Sequence, residues 1–381
     1  MTLTQFVTKN AFRNKRRTIL TVISISVSLL LLTLMMTVWR AFYIDKGAPQ
    51  SALRLITRHR VSLTNMMPLA YEAKIRAVPG VVAVASMNWF GGKYKDDKPE
   101  NFFAQFYVEP ENIVQVYTDW QIPEDQKEAW FKDRAGCAVG RRLADRLHFK
   151  IGDKVHLLGT FLPDVDLTVR AIIDGPETND AMFFNRKYVD ESTQWVSSQS
   201  GMYAIRVASE GDVPTVTRTI DDMFHNSPEP TKTETEKAFQ LGFIAMMGNV
   251  KAFILGISGA VVFAILLVSG NTMAMSIRER IREVAVLKTV GFTRNRVLTL
   301  FVGEAVAVSL IGGLVGVFLA SGLIQGLAQS PMGGMFQTAK VNGPTALVAL
   351  GVAALVGFVS AFLPSYRASK LNIAEGLRHL G

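Results

Sequence analysis

Met275-Ser-Ile-Arg-Glu-Arg-Ile-Arg-Glu-Val-Ala-Val-Leu-Lys-Thr-Val-Gly291 is a charged, helix-forming run between two long apolar stretches. Its length corresponds to about four helical turns. A charged segment placed there must lie in water on one side of a membrane. Arg278, Arg280, Arg282 and Lys288 outnumber Glu279 and Glu283, and an excess of Lys and Arg beside membrane spans marks the cytoplasmic side. The segment is therefore expected to be the part that touches a soluble cytoplasmic partner.

The chain has 381 residues and a formal charge of +9, a balance that taken alone suggests a nucleic-acid binder. The positions of the charges remove that reading. Residues 42–250 hold 24 Lys and Arg against 28 Asp and Glu, whereas the rest of the chain holds 17 basic residues and 4 acidic ones. The excess clusters at the ends of apolar runs, as membrane orientation requires. Cys137 is the only cysteine, which rules out an intramolecular disulfide and argues against a Cys-based metal site. It reads as a buried structural thiol.

Four stretches lack Asp, Glu, Lys and Arg: residues 18–39, 252–277, 305–339 and 341–366. Each is long enough for a hydrocarbon core, which takes about 20 residues. The third is too long for one span and contains Pro331-Met-Gly-Gly334, so its helix is expected to start near Arg296, to end near Leu327, and to be followed by an external turn. That start places Glu304 about two turns inside the boundary, where a carboxylate either snorkels to the interface, the preferred reading, or serves as a functional intramembrane acid.

Lys9, Arg13, Lys15, Arg16 and Arg17 before the first run, six basic residues across 278–296, and Arg367, Lys370 and Arg378 in the tail all belong in the cytoplasm. The first run has no small-x-small cleavage site before Trp39-Arg-Ala-Phe-Tyr43 and reads as an uncleaved anchor. Leu3, Phe6, Val7 and Ala11 ahead of it suggest a short amphipathic helix on the inner leaflet. The predicted fold class is an α+β membrane protein with four transmembrane helices, one N-terminal and three C-terminal, and a large α+β extracytoplasmic domain inserted between helices 1 and 2. The expected segments are 1–17 leader, 18–41 first span, 42–250 external domain, 251–277 second span, 278–295 cytoplasmic helix, 296–327 third span, 328–340 external loop, 341–366 fourth span and 367–381 tail.

Small residues recur at four-residue spacing in the spans: Gly256, Ala260 and Ala264; Gly312 and Gly316; Ala353, Gly357 and Ala361. Such rows allow close helix approach, either inside one subunit or along a dimer seam. No row of acids, histidines or arginines runs through the spans, which disfavours an ion-coupled carrier or channel.

In the external segment, residues 52–63 have strand character, 69–77 a helical pattern and 81–90 strand character again, a β-α-β unit with a Pro79-Gly80 turn. A strand is predicted over 102–108, helices over 124–132 and 138–147, a turn at Ile151-Gly-Asp153, paired strands over 155–159 and 167–173, a strand over 201–207 and a helix over 213–224. No catalytic residues stand out. His59, His148, His156 and His225 lack the spacing of a zinc site, and Asp164 and Asp166 are too few for a calcium loop. Gly91-Gly92-Lys93 lacks the upstream glycine of a phosphate-binding loop, and no Gly-x-x-x-x-Gly-Lys-Ser/Thr occurs elsewhere.

One amino-terminal span, a large external domain and three carboxy-terminal spans resemble the MacB/FtsX-type permease family, the type VII ABC transporter subunits. The similarity covers nearly the whole chain. It is carried by the basic leader Asn10-Ala-Phe-Arg-Asn-Lys-Arg-Arg17 running into the first span, and by Gly140-Arg-Arg-Leu-Ala144 followed by the Gly152-Asp153 turn. It continues through Ile277 to Thr293, Glu304 and Gly312-Gly-Leu-Val-Gly316, and ends on Pro364-Ser-Tyr-Arg-Ala-Ser-Lys-Leu-Asn-Ile-Ala-Glu-Gly-Leu-Arg378. Ile373 stands where the family usually has proline.

The resemblance implies a MacB-like periplasmic core domain and a dimerising permease, paired with a second copy or a paralogue. It implies no cofactor bound by this chain, with ATP and Mg held by a separate cytoplasmic ABC ATPase, and no intrinsic catalytic site. Arg278, Glu279, Arg282, Glu283, Val284, Leu287, Lys288 and Gly291 would form the coupling helix, with Val284, Leu287 and Gly291 as an apolar stripe for a partner groove. Gly312, Gly316, Ala353 and Gly357 would serve helix packing or dimerisation. The implied function is mechanotransmission for export or extraction, with room for a periplasmic adaptor protein. The alternative is an FtsX-like transducer that activates an external enzyme such as a cell-wall hydrolase, and a membrane-anchored receptor without an ATPase is a third class. Other than membrane lipid no further partner is implied, and nucleic acid is not one.

Overall fold

The structure, a computed structural model, describes residues 15–44, 49–175, 180–193, 197–246, 248–328 and 339–370. The expected leader helix, the Pro331 turn and the terminal motif beyond Lys370 lie outside them. The chain divides into two compact units, Asp45–Met247 and a bundle made of the segments on either side of it.

The first bundle helix, α1, spans Lys15–Tyr43. The external unit then opens with strand β1 (Arg54–His59), short β2 (Met67–Pro68), helix α2 (Tyr71–Arg76), β3 (Val81–Trp89) and β4 (Ala104–Val108). Next come α3 (Pro110–Val116), α4 (Glu124–Lys132), β5 (Gly136–Gly140), α5 (Arg141–Leu147), β6 (Lys154–Leu157) and β7 (Val165–Ile173). It closes with β8 (Ala181–Asn185), α6 (Arg186–Ser192), short β9 (Gln199–Ser200), β10 (Met202–Val207), α7 (Val213–Phe224), β11 (Thr231–Thr235) and α8 (Glu236–Met246).

One sheet of nine strands, ordered β11-β1-β10-β3-β4-β8-β5-β7-β6, runs through the unit. The predicted β-α-β unit is split: β10 lies between β1 and β3 and pairs antiparallel with both. Sequence separation hides such an insertion, because β10 lies more than a hundred residues downstream of its neighbours. Alternation along the strands serves both faces. Ala83, Ala85 and Met87 of β3 pack with Ile113, Trp120 and Trp130, while Val84 faces the other side with Ile75, Val216 and Phe224. A third cluster around Tyr107, Val139, Leu143 and Phe184 fills the far half of the sheet.

The helix predicted over 138–147 is corrected. Residues Gly136–Gly140 form β5, buried throughout and hydrogen-bonded between β8 and β7, and only Arg141–Leu147 is helical. Small apolar residues carry no period that separates a doubly buried strand from a helix start. Cys137 sits in β5, fully buried, and burial pushes its thiol well above the ordinary range. His156 is exposed and paired with Asp166 at 2.8 Å.

The bundle continues with α9 (Val250–Glu279), α10 (Ile281–Thr289), α11 (Arg294–Ala328) and α12 (Gly343–Lys370). Among the described residues, four helices are long and apolar enough to cross a membrane: α1, α9, α11 and α12. Their shared core contains Ile25, Leu29 and Leu32 of α1, Ile265 of α9, and Ala353 and Val356 of α12. Apolar side chains also cover the outer faces, as with Phe263, Phe318 and Leu347, the pattern expected where lipid replaces water.

Candidate functional site

The long second apolar helix does not run on into the charged segment as one rod. It stops at Glu279, and Arg280 adopts φ −108° and ψ 15°, which ends α9 and redirects the chain into α10. Arg280 is buried. Its Nε donates to Glu283 at 3.1 Å, its Nη1 donates to Glu304 at 2.7 Å, and its guanidinium lies 5.2 Å from the Phe301 ring centre. Glu304 is itself only 8% exposed. The preferred snorkelling reading of Glu304 is thereby corrected: a buried carboxylate needs a cation, and Arg280 supplies it from the adjoining helix junction.

At its other end α10 closes on Gly291, whose φ of +96° is left-handed. Gly291 N–H donates to Lys288 O at 3.1 Å and Phe292 N–H to Leu287 O at 3.0 Å, the paired bonds of a Schellman cap that glycine accommodates without strain. The Lys288 ammonium donates to the Ser369 carbonyl at 2.7 Å, where a cation complements the C-terminal end of α12. Val284 packs with Ile277, Val297, Phe301 and Ala368. Thus α10 follows on from α9, is pinned to α11 through Arg280 and to α12 through Lys288, and shares one apolar core with all three.

This arrangement changes the expected roles. Arg278 and Glu279 are exposed but belong to the last turn of α9. Val284 is 1% exposed and faces the bundle, so it cannot line a partner groove. Leu287, Glu283 and Lys288 are half-buried, while Arg282 and Gly291 are exposed. The outward apolar positions are Val286 at 53% and Val290 at 73% exposed. They were missed because 284/287 and 286/290 are both apolar at helical spacing, so periodicity alone does not say which face turns inward. Arg280 was missed because four basic residues in one run look alike until one is buried.

The glycine rows resolve into packing within this chain. A Cβ on Gly312 would lie 2.6 Å from Ile25 Cγ2, and one on Gly316 would lie 2.7 Å from the Ser26 carbonyl oxygen, both in α1. A Cβ on Gly357 would lie 2.8 Å from Ser309 Oγ and 2.9 Å from Val306 Cα in α11. Ala353 is buried and would sit 3.0 Å from a Cβ on Gly313. By contrast, nothing lies within 4 Å of a Cβ on Gly256, and Ala260 and Ala264 are exposed.

Residues 18–223 match the sequence profile of the MacB-like periplasmic core domain, more than half of the chain, and residues 253–373 match that of the FtsX-like permease C-terminal domain. The chain belongs to the MacB/FtsX family of ABC transporter permeases. An uncharacterised ABC transporter permease of Methanocaldococcus jannaschii is 24% identical, over 98% of this permease and 96% of the relative. The permease YknZ of Bacillus subtilis, also uncharacterised, is 34% identical over 38% of each chain. The macrolide export ATP-binding/permease protein MacB of Bdellovibrio bacteriovorus is 29% identical, over 51% of this permease but only 29% of the relative. Among solved structures, the periplasmic region of MacB from Actinobacillus actinomycetemcomitans is similar with a TM-score of 0.37 and 5% identity, over 50% of this permease and 92% of that chain. Four apolar helices in an ABC permease make this a multi-pass membrane protein.

Proposed function

We propose that this chain is the permease subunit of a MacB-like exporter, in which a separate cytoplasmic ATPase drives motion of the external domain through α10. The observation that carries this reading is the bracing of α10: it is ion-paired to α11 by Arg280–Glu304 and hydrogen-bonded to α12 by Lys288–Ser369, while Val286 and Val290 point outward. A helix held in that way transmits a push on its outer face to three spans at once. In this reading α10 and both termini are cytoplasmic and the 42–250 domain lies outside the inner membrane, a topology that the basic residues around α10 support. The permease acts as a dimer, with itself or with a paralogue, and its two ATPase partners hold ATP and Mg. No catalysis is assigned to this chain. Relatives named as macrolide and pyoverdine exporters support a small-molecule substrate taken up on the external side, with a periplasmic adaptor as the further partner.

The test replaces the outward face. Val286→Asp/Val290→Asp is expected to abolish co-purification of the ATPase and stimulation of ATP hydrolysis, while leaving the permease folded in detergent. Retention of the ATPase at unchanged stoichiometry and activity would overturn the assignment of α10.

A further inference from the structure

Where the start of α11 meets the end of α12, two cations converge on one aromatic ring. The Arg294 guanidinium lies 4.5 Å and the Lys370 ammonium 4.6 Å from the centre of the Tyr366 ring, and both also interact with its phenol group. Arg296 and Arg367 are exposed in the same end turns. None of these four cations has a carboxylate partner among the described residues, in contrast to Arg280 a short distance away in the chain. Like charges gathered without a counter-ion among the described residues repel one another and favour an anion from outside.

The same ring also ends an apolar ladder. Phe358, Phe362 and Tyr366 recur every four residues on α12 and stack in sequence, with centroids 5.5 Å and 6.1 Å apart. Phe358 and Phe362 are exposed, at 47% and 41%, as is Leu363 at 54%. The ladder points from the cation pair into the part of α12 long and apolar enough to cross a bilayer. A soluble anion would use only the cations, and an acidic protein surface would leave the exposed rings uncovered.

We propose that Arg294, Lys370 and Tyr366 form a binding site for the phosphate of an anionic phospholipid, with one acyl chain lying along Phe362 and Phe358. Phosphate between two cations gains charge-assisted hydrogen bonds, and the acyl chain covers the exposed faces of Phe358 and Phe362. Basic residues between helix ends are a recurrent headgroup site on the cytoplasmic face of membrane proteins. The proposal uses neither α10 nor an ATPase, so it stands or falls separately from the functional reading above.

The experiment uses the full-length permease, delipidated in detergent and titrated with phosphatidylglycerol, phosphatidylcholine or inorganic phosphate under native mass spectrometry. Wild type is expected to prefer phosphatidylglycerol over phosphatidylcholine. Removing each cation is expected to weaken phosphatidylglycerol binding about fivefold, and Arg294→Gln/Lys370→Gln roughly thirtyfold. The charge-preserving Arg294→Lys/Lys370→Arg variant, which guards against loss through misfolding, is expected to keep most of the preference. Phe362→Ala is expected to weaken the lipid and leave inorganic phosphate unchanged.

An unchanged preference in the double Gln variant overturns the proposal. So does inorganic phosphate displacing phosphatidylglycerol as readily from wild type as from Phe362→Ala, which would mark a phosphate site alone. Loss of ATPase co-purification in the double Gln variant with lipid preference intact would assign the cations to an acidic protein surface and equally overturn it.

Discussion

Arg280 decides how the α10 end of the bundle is built, because this one residue ends α9, pairs with Glu283 and neutralises Glu304. Burying two charges is costly, and the attraction between them offsets that cost only while both are present. Removing one partner of such a pair is expected to cost about 3–5 kcal/mol, whereas removing both is often close to neutral. Arg280→Met or Glu304→Leu alone is therefore expected to lower the thermal unfolding temperature of the detergent-solubilised permease sharply. The double variant should recover most of the loss, and additive losses would show that the two side chains do not act as a pair. The sequence made Glu304 conspicuous as the one acid near the start of a span, yet its partner lay among similar basic residues, and only the turn at residue 280 singles it out. Charge count was readable from composition; pairing depends on which way a helix ends.

At the scale of elements, apolar length identified the four long helices of the bundle, since runs of about 20 residues without charge have few other fates. Within the external unit, α4 and α7 were readable at their observed limits because their polar and apolar residues alternate with helical period. By contrast β8, α3, β11 and α8 were not recognised. Ala181-Met-Phe-Phe-Asn185 is short and apolar up to its last residue, so it shows no period, and Thr231–Thr235 is a polar edge strand whose pairing partner, β1, is distant in sequence.

Helix rows of small residues gave the spacing of the close contacts but not their partners. That assignment has a measurable consequence. A methyl group on Gly316 would meet backbone atoms of α1, at 2.7 Å from the Ser26 oxygen and 3.0 Å from the Leu30 nitrogen, which cannot move aside as a side chain tip can. Gly316→Ala is expected to destabilise the bundle by about 1–3 kcal/mol through overpacking. Gly256→Ala, with open space around it, is expected to be neutral or slightly stabilising, since alanine favours helix over glycine by about 1 kcal/mol. Comparing the melting temperatures of the two variants checks the placement, and equal effects would mean that Gly316 does not approach α1.

For the whole molecule, the proposed mechanism requires movement of the spans to enter the external domain through two covalent junctions. The chain comes out of α1 shortly before β1 and returns to α9 directly after α8. Inside the external unit, these entry and exit elements are stapled together. Arg54, at the first position of β1 and 2% exposed, ion-pairs with Glu236, the first residue of α8, and with Asp119 at 2.8 Å. Tyr117 donates to the other Glu236 oxygen at 3.0 Å, and its ring lies 4.7 Å from the Arg54 guanidinium carbon.

On the proposed mechanism a displacement reaching β1 or α8 would move both as one body, and β1 belongs to a sheet hydrogen-bonded across nine strands among the described residues. Replacing the charged groups together, Arg54→Met/Asp119→Asn/Glu236→Leu, removes the staple without leaving the half-buried Asp119 carboxylate without its cation. On the proposed mechanism, this variant in a reconstituted permease–ATPase complex is expected to keep ATP hydrolysis near the wild-type rate and to lose most substrate export, because the ATPase would still turn over while its stroke would no longer be carried into the sheet. Parallel losses of hydrolysis and export would place the defect in folding or ATPase docking, and unchanged export would show that the two junctions move the external domain independently.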